Sequence, residues 1–367
     1  MCHRVDFQNF FCYNELLLSK DFMVNLACIG VGGWGKNLVR TFYSLPQCRL
    51  LYLCDLNERL EKIGSSYPEA KRTASLGEIL KDERVQGIVI ATTASEHYRL
   101  AKEALLAKKH VYVEKPMTLS AKEAEELVAL AQSSKCKLMV GHLLIYHPGI
   151  VRLKQLIEQG ELGEIYYIYS QRVNLGVIRE DENALWSFAP HDLSVILYLL
   201  ESFPTSVSVR GKAYLRKGIE DVVFVNLTFS KERMAELHLS WLDPHKIRMI
   251  TVVGSKKMAV FDDMENSEKL KVYDKGIYRP FIATYKESLS LRFGDITIPH
   301  LEMTEPLTLE CQHFVDCIQT NREPNTNGRQ GLDVVRILEA AQASLEKEGA
   351  SVKFDSPSKN ESNLLRS

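Results

Sequence analysis

The sequence predicts two domains, an α/β domain built on a parallel sheet and then an α+β domain built on a mostly antiparallel, open sheet. The length of 367 residues exceeds the size at which single hydrophobic cores usually stop growing. From Asn25 to about His142, short apolar runs alternate with amphipathic helices, as in repeated βαβ units. After His142, closely spaced strands follow one another without intervening helices, which indicates antiparallel pairing.

Apolar runs and helical spacing define the elements in chain order. In the first domain we predict strands at 25–30, 49–54, 86–91, 110–113 and 137–140, and helices at 34–44, 97–108 and 121–134. Ser120 and Glu123 form a capping box for the last of these helices. In the second domain we predict a helix at 149–159, a strand at 164–174, a helix from near His191, strands at 205–214, 220–229, 233–241, 247–254 and 257–262, and helices at 307–320 and 331–347.

These elements set the predicted limits of the domains at residues 23–142 and 143–353. Residues 1–22 show no clean period, and Met23 opens the first apolar run, so this extension is either a loose appendage or lies upstream of the true start. Residues 354–367 are rich in Ser, Asn and Lys, which predicts a disordered tail.

The composition argues against two kinds of partner. The 46 basic and 47 acidic residues give a formal net charge of -1, so no electrostatic field attracts nucleic acid. No run approaches the roughly eighteen apolar residues of a membrane span, and no secretory signal is present in the first 22 residues. We therefore predict a cytoplasmic protein without nucleic-acid or membrane partners.

A glycine-rich segment follows the first predicted strand and fits Gly-x-Gly-x-x-Gly. Gly30 permits a tight turn, Gly32 lets the backbone approach a pyrophosphate, and Gly35 allows close packing of helix and sheet. Gly33 and Trp34 lie between them and are candidates to line the same cofactor. On its own, this pattern also occurs in glycine-rich turns that bind no ligand.

Asp55 strengthens the cofactor interpretation. It lies at the end of the second strand, twenty residues after Gly35, where a carboxylate accepts the hydroxyls of an adenine ribose. Its charge would repel a 2′-phosphate, and no Arg follows immediately. The sequence therefore predicts a Rossmann domain that binds NAD rather than NADP.

Two further strand ends contribute candidates at the carboxyl edge of the sheet. Thr92 and His97 follow the strand at 86–91 and are expected to line the cofactor, although His97 could equally cap its own helix. Glu114 and Lys115 follow the next strand, and Pro116 rigidifies the loop. A lysine at this edge, beside a cationic nicotinamide, would have its pKa lowered enough to share a proton with a substrate hydroxyl. A solvated lysine is the alternative.

A metal site is not expected. Cys311, His313 and Cys317 were the best candidates for ligands, but the six-residue step turns the two thiols apart on a helix. The eight cysteines contain no Cys-x-x-Cys, which is typical of buried thiols in a reducing compartment.

With these residues in view, the chain resembles the Gfo/Idh/MocA oxidoreductase family from Met23 to about Val352. The motifs that carry the resemblance are the Gly30 loop, Asp55, Glu114-Lys115-Pro116, Gly141-His142, Ala189-Pro190-His191-Asp192 and the helix from Pro306-Leu307 to Glu310-x-x-His313-Phe314. The resemblance implies that Lys115 and His191 are catalytic and that the Lys115–Pro116 bond is cis. The family usually has Asp where this chain has Ser187, which leaves other groups, such as Asp192, to orient His191.

The chain is also similar to the sugar-nucleotide branch of that family, the UDP-N-acetylglucosaminuronate 3-dehydrogenases. The similarity implies oxidation of a ring hydroxyl carbon, C3. The segment 171–183, which links a strand to the helix bearing His191, offers arginine guanidinium groups and amides that suit a carboxylate, a diphosphate and an acetamido group. The alternative interpretation is that this segment is an ordinary solvated polar loop. The substrate-binding candidates are Tyr146, Arg172, Asn174, Arg179, Asn183 and Asp192.

Several assignments stay open. His191 is the expected base and Lys115 the group that binds the hydroxyl, but the two roles could be exchanged. A dehydrogenase of inositol or another free sugar, or a non-catalytic NAD-binding regulator, are alternative functions on the same fold. The exposed face of an antiparallel sheet needs covering, so we expect a homodimer or a homotetramer.

Overall fold

A computed structural model describes residues 23–176, 178–180, 182–278 and 290–354. The predicted extension at 1–22 and nearly all of the predicted tail, residues 355–367, lie outside the described residues.

The first domain contains a six-stranded sheet in which every printed pairing is parallel, with the strand order β3-β2-β1-β4-β5-β6. Consecutive strands run outward from the centre in both directions, so the order reverses between β1 and β4. Open α/β sheets bind ligands at such a reversal, at the carboxyl ends of the strands. The strands are β1 (Val24–Ile29), β2 (Cys48–Cys54), β3 (Lys71–Thr73), β4 (Gly87–Ile90), β5 (His110–Glu114) and β6 (Leu138–Gly141).

Helices cover both faces of this sheet and one face of the second. They are α1 (Gly35–Ser44), α2 (Asn57–Gly64), α3 (Leu76–Lys81), α4 (Ala94–Leu106), α5 (Ala121–Ser134), α6 (Pro148–Glu158), α7 (Ala184–Leu200), α8 (Pro306–Thr320) and α9 (Gly328–Glu346), with a short 3₁₀ helix at Leu143–Tyr146. One apolar core lies between the first sheet and α1 and α8, and another lies between the sheet and α4, α5 and α9. None of the helices in the described ranges has the length and apolar character that a bilayer crossing demands.

The second domain is built on an open sheet with the order β14-β13-β12-β11-β7-β10-β9-β8-β15. Neighbouring strands pair antiparallel except β7 with β10, so the prediction of a mostly antiparallel sheet is confirmed. The strands are β7 (Ile165–Val173), β8 (Ser206–Lys212), β9 (Val222–Thr228), β10 (Met234–Ser240), β11 (Ile247–Gly254), β12 (Met258–Asp262), β13 (Leu270–Tyr278), β14 (Ser290–Thr297) and β15 (Val352–Lys353).

Alternating residues give this second sheet two different faces. The inner residues of β9 and β10 are buried in a core with α6, α7 and α9, whereas Phe224 and Met234 on the outer face are 42% and 53% exposed. Helix α9 packs against α5 and β6 of the first domain as well as against β8 and α7 of the second. The last long helix therefore joins the two cores.

Three expectations about elements are corrected. Helices α2 and α3 and strands β3, β13 and β14 were not predicted, because they are short, exposed or poorly patterned. Helix α7 begins seven residues before His191, because Asn183 caps it and the chain continues helical through Pro190 despite the lost N–H. Ser120 precedes α5 as expected, but its side chain makes no capping hydrogen bond.

Gly331 tests the junction that α9 makes with the first domain. A Cβ atom there would lie 2.6 Å from Val140 Cγ2 and 3.1 Å from Met117 Sδ. We expect Gly331→Val to lower the free energy of unfolding by about 1–3 kcal/mol through overpacking. In urea denaturation, Gln330→Val at the adjacent exposed position should cost much less. Equal losses in the two variants would show that this contact is not closely packed.

Candidate functional site

Two glycines build the turn between β1 and α1. Gly30 has a φ of +87°, and a Cβ atom on it would lie 2.5 Å from the carbonyl oxygen of Ala91 in the loop after β4. A Cβ atom on Gly35 would lie 1.9 Å from the Gly30 carbonyl oxygen. Glycine is therefore required at both positions, whereas a Cβ atom on Gly33 would have no neighbour within 4 Å. The turn brings the first-turn N–H groups of α1 to the edge of the sheet.

The Asp55 carboxylate holds this turn in place. Its Oδ2 accepts the N–H of Val31 at 2.8 Å, and its Oδ1 accepts the N–H of Leu56 at 2.7 Å. Arg59, which sequence reasoning missed, lies one helical turn further on, with its Nη1 3.4 Å from Asp55 Oδ1 and 3.3 Å from a Cβ position on Gly32. The only signal for Arg59 was its spacing of four residues from Asp55 on a helix.

A cavity of about 1000 Å³ opens beside the turn and supplies positive charge. Its lining includes the glycine turn and a set of basic side chains: Lys36, Arg40, Arg59 and Lys62. These donors suit phosphate groups. The glycine turn and Asp55 thus fit a dinucleotide, and they are the residues that would hold its pyrophosphate and adenine ribose.

His97 does not cap its own helix. It is 1% exposed inside α4, and Thr93 is the residue at the N-cap, so the capping alternative is wrong. Its Nδ1 lies 2.8 Å from the Pro116 carbonyl oxygen and its Nε2 lies 3.2 Å from that of Thr92. His97 therefore connects the loops after β4 and β5 from the protein interior, and its contact with a cofactor stays a prediction.

Trp34 and Glu114 are brought together across the edge of the sheet. The Trp34 indole Nε1 donates to Glu114 Oε1 at 2.6 Å, which ties the glycine turn to the end of β5. Burial raises the pKa of Glu114 above its usual value, and the bond from Trp34 and the charge of Lys115 oppose this shift. The Lys115–Pro116 peptide bond is cis, as the family resemblance implied.

Lys115 reaches across to α7 of the second domain. Its Nζ donates to the carbonyl oxygen of Ser187 at 3.2 Å, one turn of helix before His191. Burial lowers the pKa of Lys115 below its usual value, although the charges of Glu182 and Glu114 oppose the shift. Burial also lowers the pKa of His191 well below its usual value, and the neighbouring charge of Lys115 lowers it further. The two predicted catalytic residues are both partly buried and lie within electrostatic reach of each other, and a neutral His191 can accept a proton.

His142 belongs to the family motif Gly141-His142, but the sequence analysis did not identify it as a residue of the site. Glu114 and Gly141 are partners in the register of β5 and β6, so Lys115 and His142 leave the sheet side by side. His142 is 1% exposed, and neither ring nitrogen has a hydrogen-bond partner in the described structure. Burial and the charge of Lys115 lower the pKa of His142 to about 3, so the ring is neutral.

A second cavity, of about 950 Å³, opens beside Lys115 and α7. Of the predicted substrate-binding residues, it contains Asn174 and Arg179. It also contains Lys246 and Arg248, which sequence reasoning missed because they lie on a distant loop and strand with no motif. The remaining lining residues are Leu175, Gly176, Ser187, Phe188, Trp241 and Pro244.

Arg172 and Asp192 bind one another rather than facing this cavity. Arg172 Nε donates to Asp192 Oδ2 at 2.5 Å, and Ser170 Oγ donates to Asp192 Oδ1 at 2.5 Å. Asp192 is 1% exposed and has both oxygens occupied. The expectation that Asp192 orients His191 is therefore not supported, because its carboxylate serves Arg172 and Ser170 instead.

Asn183 and Tyr146 also lie away from the cavity. Asn183 Oδ1 accepts the N–H of Trp186 as the cap of α7, and its Nδ2 donates to Glu220 and to Gln342. Tyr146 is 7% exposed, and its hydroxyl pairs with that of Thr326. The structure gives both side chains positions in the packing of the protein, and no contact with a substrate site is shown.

Both domains match models of a single family. Residues 24–142 match the model for the oxidoreductase family with an NAD-binding Rossmann fold, and residues 150–260 match the GFO/IDH/MocA C-terminal domain. Together the matches span more than half of the chain. The chain therefore belongs to the Gfo/Idh/MocA oxidoreductase family and is an NAD-dependent oxidoreductase.

Similar proteins act on different sugars. A UDP-N-acetylglucosamine 3-dehydrogenase from Acidithiobacillus ferrooxidans is 26% identical over 85% of this chain and 93% of its own length. An NAD⁺-dependent scyllo-inositol 2-dehydrogenase from Bacillus subtilis is 24% identical over 83% of this chain and 89% of its own length. A solved structure of the Acidithiobacillus enzyme has a TM-score of 0.77 at 23% identity, covering 89% of this chain and 98% of that one. The structural likeness establishes the fold.

Replacement of Asp55 tests the cofactor site. We expect Asp55→Ala to weaken NAD binding by about 1–3 kcal/mol, because bonds to the ribose and the fixed position of the glycine turn are both lost. Isothermal titration calorimetry measures the affinity, and Glu58→Ala, which removes an exposed carboxylate of α2 outside the cavity lining, serves as the control. An unchanged NAD affinity in Asp55→Ala would contradict the assignment.

Proposed function

We propose that this enzyme oxidises C3 of UDP-N-acetylglucosaminuronate, for the biosynthesis of surface-polysaccharide sugars. The observation that carries the proposal is the bond from Lys115 to helix α7, which bears His191, beside a cationic cavity at the carboxyl edge of the parallel sheet. NAD, when bound, supplies the acceptor for the hydride that leaves the sugar carbon. The residues of the chain provide the binding and the proton transfer.

The two catalytic residues have different tasks in this proposal. His191 is kept neutral by its burial and takes the proton of the substrate hydroxyl at an imidazole nitrogen. Lys115, anchored to the Ser187 carbonyl, donates to the hydroxyl oxygen and stabilises the negative charge that develops there. If the tasks are exchanged, Lys115 must lose its own proton first, which its lowered pKa favours.

One similar protein supports a sugar nucleotide as the substrate, and another supports an alternative substrate. The named activity of the Acidithiobacillus relative, oxidation of a UDP-linked amino sugar at C3, has the same carbon and the same nucleotide as our proposal. The Bacillus relative favours a second candidate, a free cyclitol or sugar. The basic side chains Arg179, Lys246 and Arg248 in the cavity favour the anionic compound over inositol.

Assembly and location belong to the same proposal. The outer face of the second sheet exposes large apolar side chains, such as Phe224 at 42% and Met234 at 53% on the neighbouring strands β9 and β10. Because exposed apolar side chains of this kind often mark an interface, we propose a homodimer or a homotetramer, which light scattering would distinguish. We also propose that the enzyme acts in the cytoplasm.

Variants at the catalytic pair test the mechanism. We expect Lys115→Met and His191→Asn each to lower kcat at least about a hundredfold while NAD still binds. If His191 is the base, kcat in the unmodified enzyme falls only below about pH 6.5, because the base must be unprotonated and its pKa is lowered. Activity that already declines while the pH is lowered from alkaline values to pH 7 would identify Lys115 as the base instead.

A panel of three compounds tests the substrate. We expect NADH formation to be fastest with UDP-N-acetylglucosaminuronate, slower with UDP-N-acetylglucosamine, which lacks the carboxylate, and absent with myo-inositol, which lacks the remote binding energy of the nucleotide. Absorbance at the NADH band gives the rates, with 2-oxoglutarate added in parallel to recycle any reduced cofactor that stays bound. Faster oxidation of inositol or of a free hexose would replace this substrate with the second candidate.

A further inference from the structure

We infer that Arg248 and Lys246 form an anion clamp that recognises a carboxylate on the substrate and thereby determines its selection. The inference rests on the proposed dehydrogenase function and adds the residues that choose the substrate. It replaces Arg172, which the sequence had suggested for this task and which is committed to Asp192.

The basic residues around the cavity differ in whether a carboxylate neutralises their charge. Arg172 is neutralised by Asp192, and Arg179 Nε lies 3.0 Å from Glu182 Oε1. Lys246 and Arg248 have no ion pair within the described residues. Among the residues that the structure describes, no Asp or Glu lines the cavity. Its wall therefore carries positive charge that the described chain does not balance.

Arg248 is positioned by neutral oxygen atoms only. Its Nη1 donates to the carbonyl oxygens of Val173 and Ile247 at 3.0 Å and 2.8 Å, and its Nη2 donates to Asn174 Oδ1 at 2.5 Å. The guanidinium lies over the ring of Phe188, 5.2 Å from its centroid. These contacts hold the group in one orientation without an ion pair in the described chain, and the carboxylates of Asp192 and Asp263 act on it only from beyond ion-pair distance.

Placing such a cation in a partly buried wall has an energetic cost that a ligand can offset. Burial and the nearby charge of Arg172 lower the pKa of Arg248 to about 10, which still leaves it charged at neutral pH. A bound anion would relieve this cost, because a paired charge in a site of low dielectric is much more favourable than an isolated one. Lys246, which is exposed at the rim, adds a second and more mobile positive charge.

The position of the clamp favours a carboxylate on the reacting ring over a distant diphosphate. Ser187 lines the same cavity, and its carbonyl oxygen accepts the Lys115 ammonium that marks the reacting hydroxyl. A planar guanidinium held by its neighbours suits the planar carboxylate of a sugar acid. A phosphate could use the same donors, so the experiment compares the two sources directly.

The experiment measures binding in the presence of NADH, which prevents oxidation of the ligand. Two pairs of compounds, UDP-N-acetylglucosaminuronate with UDP-N-acetylglucosamine and glucuronate with glucose, differ only in whether the sugar is an acid or neutral at C6. We expect the full-length protein to prefer the acid in at least one pair. Arg248→Met should weaken binding of that acid at least about tenfold and binding of its neutral partner less than about threefold.

Matched variants separate the clamp from a general loss of structure. Arg216→Met changes a basic residue that does not line this cavity and already has a carboxylate partner, Glu180, and it should alter binding less than about threefold. Lys246→Met should reduce the preference for the acid, and Arg248→Lys should keep part of it because the charge is retained. Melting temperatures identify any variant that is unfolded, in which case Lys246→Met and Arg248→Lys decide the test.

Three outcomes would overturn the clamp. The first is no preference for the acid in either pair. The second is an equal loss of both members of a pair in Arg248→Met, which would assign Arg248 to the diphosphate. The third is a loss in Arg216→Met as large as in Arg248→Met. The proposed function fails separately, if no member of the panel yields NADH with NAD while the acid still binds selectively.

Discussion

The site depends on helix α7 lying across the carboxyl edge of the parallel sheet. The Lys115 ammonium donates to the Ser187 carbonyl, and this bond joins the end of β5 to the helix that carries His191. Helices α9 and α8 support the arrangement, since α9 packs against both sheets and α8 against the glycine-loop helix α1. Because the domains share these contacts, a lysine from one and a histidine from the other lie partly buried and within electrostatic reach of each other.

The balance of charge explains which polar residues are structural and which are available to a ligand. The Arg172–Asp192 pair is buried, and Ser170 donates a further hydrogen bond to the Asp192 carboxylate. Breaking such a pair costs more than the pair contributes, so Arg172 has little freedom to serve a substrate. Within the described residues Arg248 donates its hydrogen bonds to neutral oxygen atoms and has no ion pair, and a cation in that situation gains most from an incoming anion.

Regular patterns allowed the main features of the fold to be predicted. Alternating apolar runs and amphipathic helices gave the parallel sheet, and successive strands gave the antiparallel one. Short elements such as β3 were missed because three residues carry no measurable period. The start of α7 was misplaced because Pro190 signals a helix end locally, whereas the burial of apolar residues on both sides of it sustains the helix.

The sequence by itself identified the glycine turn and Asp55 as candidates for the cofactor site and Lys115 and His191 as candidates for catalysis. Each of them follows from a local spacing or a family motif that needs no knowledge of distant contacts. Only the tertiary structure decided how the other polar residues are used. Arg172 and Asp192 are twenty residues apart in sequence, and Arg248 meets Asn174 across 74 residues, so their pairing depends on strand register and helix placement. A polar side chain carries no local sign of the partner it will find, and that partner determines whether it supports the fold or remains available to a substrate.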